Sequence, residues 1–206
     1  MATDAELLDA WQAGDTRAGN TLLERHVEAL IRFFGTKAED ALDDLVQRTM
    51  LSCVLHHRRL RDSASFRGFL FAIARNELYD HYKRAARDRH KFDPSTSAVT
   101  DLAPTPSAAL VVGDERQAMT FALRRIPIEL QLAIELHYWE ELTTAELADA
   151  LGVPHGTAKS RLRRAKELLR VQLEPDAPRT ADDTATDRDL DAWAHEVGLR
   201  AREDNE

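Results

Sequence analysis

Residues 143–170, TTAELADALGVPHGTAKSRLRRAKELLR, constrain the fold more than any other stretch of the chain. Leu147, Ala148 and Leu151 fall on one face of a first helix, and Ala158, Leu162, Ala165, Leu168 and Leu169 on one face of a second. Gly152 separates them and can take the positive φ that a tight turn needs, while Pro154 suits the first turn of the next helix, where its missing N–H would be unpaired anyway. The polar face of the second helix carries Thr157, Lys159, Ser160, Arg161, Arg163, Arg164, Lys166 and Arg170 against a single acid, Glu167. A charged face on a helical hairpin is the plainer reading. The turn and the two apolar faces together favour a helix-turn-helix whose second helix suits a DNA major groove and whose cations neutralise phosphate.

A net charge of −8 conflicts with DNA binding until it is divided along the chain. From Gln172 onward eleven acids face four arginines, so the tail carries −7 and the rest of the chain only −1. Residues 75–91 and the helix-turn-helix are then local basic islands, and local field rather than overall charge attracts phosphate. With 43% apolar residues and no long apolar run, the chain is expected to be soluble, without membrane insertion. Its start, MATDAELLDAWQAGD, is acidic and amphipathic, unlike a signal peptide, and the lone Cys53 can make no internal disulfide, so a cytoplasmic location is expected. Cys53, among Leu51, Val54 and Leu55, reads as a small core side chain. No Gly-rich phosphate loop is present, nor any His/Cys set at metal-ligand spacing, and His56 and His57 point to different helix faces. The expectation is a protein that is not an enzyme and uses no cofactor or metal.

Helical periodicity occupies roughly residues 3–13, 16–34, 40–60 and 66–90, with no strand-like alternation of comparable length. The expected fold is all-α. Two small helical domains, a four-helix domain at 1–91 and a helix-turn-helix domain at 114–171, are joined by an extended linker at 92–113 with Pro94, Pro104 and Pro106, and followed by an acidic C-terminal extension at 172–206. In the last helix of the first domain, Phe66, Phe69, Phe71, Tyr79 and Tyr82 lie among Arg75, Lys83, Arg84, Arg87, Arg89 and Lys91, while Asn76, Asp80, Lys83 and Arg87 recur on one polar face. Rings mixed with cations suit single-stranded DNA, whose bases stack and whose backbone needs counter-charge. The phenylalanines read better as core, and the tyrosines remain open between the two roles.

Three segments, DDLVQRTMLSCVLHH, SFRGFLFAIARNELYDHYKRAARDR and LRRIPIELQLAIELHYWEELTTAELADALGVPHGTAKSRLRRAKELLR, resemble in order and spacing the two domains of extracytoplasmic-function (ECF) bacterial RNA polymerase sigma factors. The resemblance covers about residues 3–171 and is specific because the three occur together. It implies a transcription-initiation factor that binds core RNA polymerase through the clamp helices of the largest subunit and the flap of the second, recognises promoter DNA and promotes melting. The implied polymerase contacts are Asp43, Asp44, Gln47, Arg48 and Leu51. For the −10 element they are Ser63, Ser65, Phe66, Arg75, Asn76, Tyr79, Asp80, Lys83, Arg84 and Arg87, with the 61–66 connection capturing a flipped base. For the −35 element they are His155, Thr157, Lys159, Ser160, Arg161, Arg163 and Arg164. A stand-alone helix-turn-helix regulator that binds duplex DNA without polymerase is the alternative.

Two departures from the family pattern bear on control. Phe69 stands where tryptophan is usual, a packing change, whereas Arg48 stands where family members commonly carry an acid facing a basic polymerase surface. The Gln47-Arg48-Thr49 detail resembles a group controlled by a serine/threonine kinase, in which a phosphate on Thr49 would restore about −1.5 to −2 charges. The other reading makes Thr49 an ordinary helix residue bonded to the carbonyl one turn back. An anti-sigma factor is the other candidate regulator. The tail could shield the recognition helix, dock through Leu190, Trp193 and Val197, or simply be a solvated segment.

Overall fold

The computed structural model describes residues 2–60, 66–85, 92–102 and 115–173, with side chains from 120 onward in the last stretch. Ten α-helices are named in chain order among these residues: α1 Asp4–Gln12, α2 Thr16–Arg25, α3 Val27–Gly35, α4 Leu42–His56, α5 Phe66–Ala85, α6 Val99–Leu102, α7 Glu115–Arg124, α8 Ile128–Ile134, α9 Thr144–Leu151 and α10 His155–Leu173. A π-helical turn, Glu135–Trp139, continues α8. No strand occurs among the described residues, only an isolated bridge between Ala98 and Pro127. None of the described helices is long and apolar enough to cross a membrane.

The helix expected over 16–34 is two helices, so the first domain has five rather than four. The break is at His26, whose φ of −110° and ψ of 4° leave the α region and whose N–H bonds Leu23 O at 3.0 Å, tightening the last turn of α2. The His26 ring reaches back to Asp4 at 2.7 Å, tying the α2–α3 corner to α1. Local signals start the first two helices. Thr3 and Glu6 form a reciprocal capping box on α1, and Asp15 accepts from the N–H groups of Arg17 and Ala18 on α2.

Leu8, Leu22, Leu30, Phe33, Phe34, Leu45, Phe66, Leu70, Phe71 and Leu78 fill the first core, and Ile128, Leu132, Leu147, Leu151, Leu162 and Leu169 fill the second. Burying each such side chain contributes about 1.5–3 kcal/mol before conformational entropy is counted. The two cores are not separate: they form one continuous apolar cluster, and α5 against α9 is the most extensive helix pair among the described residues.

The linker departs from its expected extended form in its first part. The Phe92 ring lies edge-on to Tyr79 with centroids 5.4 Å apart and tilted to Tyr82 at 5.5 Å, the carbonyls of Pro94 and Ser97 accept from the N–H groups of Glu129 and Ile128 at 3.2 and 3.0 Å, and Val99 is buried in the short α6. A large aromatic ahead of Pro94, a β-branched residue after it and two backbone hydrogen bonds thus anchor residues 92–102. The remaining linker, 103–114, and the acidic extension beyond 173 lie outside the described residues.

Gly19 on α2 lies under the Trp11 indole, where a Cβ would come within 2.6 Å of three ring atoms. A buried ring has no room to yield, so Gly19→Ala is expected to destabilise the protein by about 1–3 kcal/mol, read as a lower urea midpoint at unchanged slope.

Candidate nucleic-acid interface

The helix-turn-helix is built by its termini. Thr143 caps α9 reciprocally with Glu146, the Thr143 N–H donating to Glu146 Oε2 at 2.9 Å and the Glu146 N–H to Thr143 Oγ1 at 3.3 Å. The T-x-x-E spacing of Thr143 and Glu146 is a local sequence signal for the start of α9 that hydrophobic periodicity does not carry. Gly152 ends α9 in the left-handed region at φ 64°, ψ 38°, the conformation expected of it, and Val153 N bonds Ala148 O at 3.0 Å. Leu162, Ala165 and Leu169 then point inward from α10. Lys159, Ser160, Arg163 and Arg164, with His155 at the start of the helix, stand in solvent, while Thr157 is half-buried. Ser160 Oγ donates to Thr157 O at 2.9 Å. Arg161 differs from its neighbours: it turns inward to pair with Glu129 of α8 at 2.7 Å.

On α5, Asn76, Asp80, Lys83 and Arg84 are exposed on one side. Lys83 pairs loosely with Asp80 at 3.4 Å and Arg84 donates to Asp80 O at 3.0 Å. Two expected DNA contacts are occupied within the protein. Arg75 crosses to the helix-turn-helix and donates to Ala150 O at 2.6 Å, while its other nitrogens engage Asn76 Oδ1. Tyr79 packs under Phe92, and burial pushes its phenol up to about 12. Phe66, at 1% exposure beside His26 and Phe69, is core, the reading favoured for the phenylalanines, and its ring is not offered to a base in this conformation. Ser63, Ser65 and Arg87 lie outside the described residues.

The expected polymerase face on α4 is largely open. Asp43, Asp44, Gln47 and Leu51 are exposed, and Arg48 pairs with Asp44 one turn back at 3.0 Å, so part of its misplaced charge is offset on its own helix. Val54 and Leu55, the sequence neighbours of Cys53, extend the face: Leu51 is 59%, Val54 45% and Leu55 67% exposed, whereas Cys53 is buried as expected. Burial also raises the Cys53 thiol to about 12. Thr49 points the same way as Cys53. It has no exposed surface, and its hydroxyl donates to Leu45 O at 2.8 Å. The reading of Thr49 as a helix residue bonded to the carbonyl one turn back describes it, and in this conformation no enzyme can reach the hydroxyl.

A set of charged residues that periodicity did not point to joins the two domains. Lys37, fully buried, forms an ion pair with Glu135 of the π-helical turn, donates to Thr36 Oγ1 at 3.0 Å and lies 4.6 Å from the Phe33 ring centroid. Burial pulls its pKa down, opposed by the Glu135 charge. Gln131 Nε2 donates to Glu135 Oε1 at 2.7 Å. Arg32 grips both oxygens of Glu140 at 3.1 and 3.0 Å, and Arg124 donates to Thr36 O. Beside this seam, Asp4, Arg25, His26, Arg67 and Glu140 help line an open cleft of about 410 Å³ carrying both signs of charge.

The family model described as Sigma-70 region 2 matches residues 22–88, and that described as Sigma-70, region 4 matches 116–169. The ECF RNA polymerase sigma factor SigL of Mycobacterium tuberculosis is 31% identical over 165 residues, covering 79% of this chain and 92% of its own length. SigM of the same organism, also an ECF RNA polymerase sigma factor, is 34% identical over 170 residues, covering 81% and 83%. Among solved structures, the sigma factor RpoE of Bartonella quintana, determined with the anti-sigma factor NepR, superposes with a TM-score of 0.59 at 24% identity over 77% of this chain and 98% of that one. CnrH in complex with the cytosolic domain of CnrY gives 0.58 at 24% identity over 84% and 99%. At that identity the structural likeness speaks to the fold alone.

Two predictions follow from the buried groups. Thr49→Asp places a carboxylate where a hydroxyl has no water, and is expected to cost about 3–5 kcal/mol in urea unfolding, against about 1 kcal/mol for Thr49→Val. Equal stability of Thr49→Asp and wild type would mean that α4 admits the charge, and would return Thr49 to consideration as a modification site. Tyr79 favours its neutral phenol in the fold, so its contribution to stability is complete below pH 10 and declines as the pH rises toward 12. Phenolate absorbance of the native protein should therefore lag behind that of the urea-unfolded chain throughout this window.

Proposed function

The chain belongs to the ECF family of RNA polymerase sigma factors, and on that footing we propose that it binds core RNA polymerase through α4, recognises the −35 element through α10 and the −10 element through α5, and assists promoter melting in the cytoplasm. It contributes binding rather than a chemical step of its own. The observation that carries the reading is the combination, in one chain, of three solvent-facing surfaces of different chemistry. Lys159, Ser160, Arg163 and Arg164 on α10 match groove and phosphate recognition. Asn76, Asp80, Lys83 and Arg84 on α5 give a mixed polar face for separated strands. The acidic and apolar strip of Asp43, Asp44, Gln47, Leu51, Val54 and Leu55 gives α4 a protein-docking character.

Control by a protein partner draws support from the Bartonella structure, which was determined with an anti-sigma factor. Control by a serine/threonine kinase acting on Thr49 requires α4 to open first, because the hydroxyl is buried. A stand-alone regulator would have no use for an exposed apolar strip on α4.

Transcription by core polymerase on promoter fragments tests the reading. Arg164→Ala is expected to lower output roughly 5- to 150-fold while leaving polymerase binding intact, the loss of one good base contact. Leu55→Glu is expected to lower polymerase binding itself. Specific duplex binding without polymerase, unaffected by Leu55→Glu, would instead favour the stand-alone regulator.

A further inference from the structure

The three open surfaces leave the basic end of α4 without a role. No acid occurs between Asp44 and Asp62, and the run His56-His57-Arg58-Arg59 closes the helix and the short 3-10 turn His57–Arg59 that follows it. Cations at a helix C-terminus ordinarily serve the last carbonyls. Here other groups take that task. His56 Nδ1 donates to Ser52 O and His57 Nδ1 to Val54 O, each at 2.8 Å, while Gln12 Nε2 of α1 donates to His57 O at 3.0 Å and to Leu60 O at 2.9 Å. The Trp11 indole, pressed against Gly19 of α2, stacks on the His57 ring with centroids 4.1 Å apart and planes 1° from parallel. Arg58 and Arg59 are exposed on this braced corner, and neither forms an ion pair among the described residues.

We propose that Arg58 and Arg59 form a contact site for the DNA phosphate backbone, separate from those on α5 and α10, and that Trp11 and Gln12 are its positioning residues. The inference rests on the sigma-factor reading above. The change of composition along α4 identifies the ligand. From Asp43 to Leu55 the exposed residues are Asp43, Asp44, Gln47, Leu51, Val54 and Leu55, the mixture of polar and apolar groups that a protein surface takes. Beyond Leu55 the exposed residues of the corner are two arginines. Guanidinium forks with no carboxylate of their own suit phosphate oxygens. A helix that meets protein along most of its length therefore meets nucleic acid at its end. Two hydrogen bonds and a ring stack fix the backbone that carries the arginines, so less freedom is lost when they engage. Contacts of this kind add affinity and set the position of the protein on DNA without reading sequence.

The test is the salt dependence of promoter binding by the full chain with core polymerase, with polymerase binding alone measured on the same samples. Each phosphate contact adds about 0.9 to the slope of log K against log salt. Arg58→Ala with Arg59→Ala is therefore expected to flatten the slope by about one to two, equally on promoters of different sequence, while Arg58→Lys with Arg59→Lys retains it. Gln12→Ala removes no cation, yet is expected to flatten the slope part of the way and to add nothing once both arginines are gone. Should Gln12→Ala fail to fold by circular dichroism, His57→Ala, which removes only the ring stacked on Trp11, serves the same comparison. A full slope without the two arginines, or a loss traced to polymerase binding, overturns the site. A brace variant that leaves the slope unchanged, or flattens it equally with and without the arginines, overturns the positioning role. A wild type that forms no promoter complex with core polymerase overturns the sigma-factor reading itself.

Discussion

A lysine with no exposed surface, paired with a buried glutamate from the other half of the molecule, is the contact on which the arrangement of this protein turns. Neither charge is tolerable alone in that environment: Lys37 without Glu135 would be an uncompensated cation under the Phe33 ring, and Glu135 without Lys37 an anion whose remaining anchors are the amide of Gln131 and the hydroxyl of Thr36. Each domain therefore carries one half of a requirement. Around the pair the apolar interiors of the two domains run together as one continuous cluster, chiefly through α5 against α9.

The same arrangement sorts the cations expected to meet DNA into two populations. Lys159, Arg163, Arg164, Lys83 and Arg84 stand in solvent, where they attract phosphate over a distance set by ionic strength. Arg75 and Arg161 are engaged internally, by a carbonyl and a carboxylate. The first population can draw the molecule toward nucleic acid in any conformation. The second would become available only if its internal partners were given up.

The parts of this picture that were legible in the sequence are those written in local patterns. The helix-turn-helix followed from two apolar faces, Gly152 and Pro154, and the exposure of most of its basic residues followed from the same periodicity. The break at His26 was invisible because no glycine or proline marks it, and the cause is a contact with Asp4 of α1. On α4, Cys53 faces inward as its small apolar side chain suggested and Leu51 faces out, but that Thr49 joins Cys53 at a spacing of four while Val54 and Leu55 join Leu51 could not be read from hydrophobicity, because an exposed apolar strip and a core look alike in sequence. The seam was beyond local reading altogether. Arg32 and Glu140 are 108 positions apart, and charged residues in ordinary helices give no sign of being buried.

The π-helical turn at Glu135–Trp139 gives this seam its geometry. Glu140 N bonds Glu135 O at 3.1 Å, five residues back. In an unbroken α-helix two residues five apart point about 140° away from each other, so only one of the two acids could face α3. The wider turn brings the fifth residue back over the first, which lets Glu135 meet Lys37 and Glu140 meet Arg32 on a single side. One surplus residue in a helix thus decides how many charges can cross between the domains: with a regular α-helical turn in its place, this chain would have only one acid to present to α3.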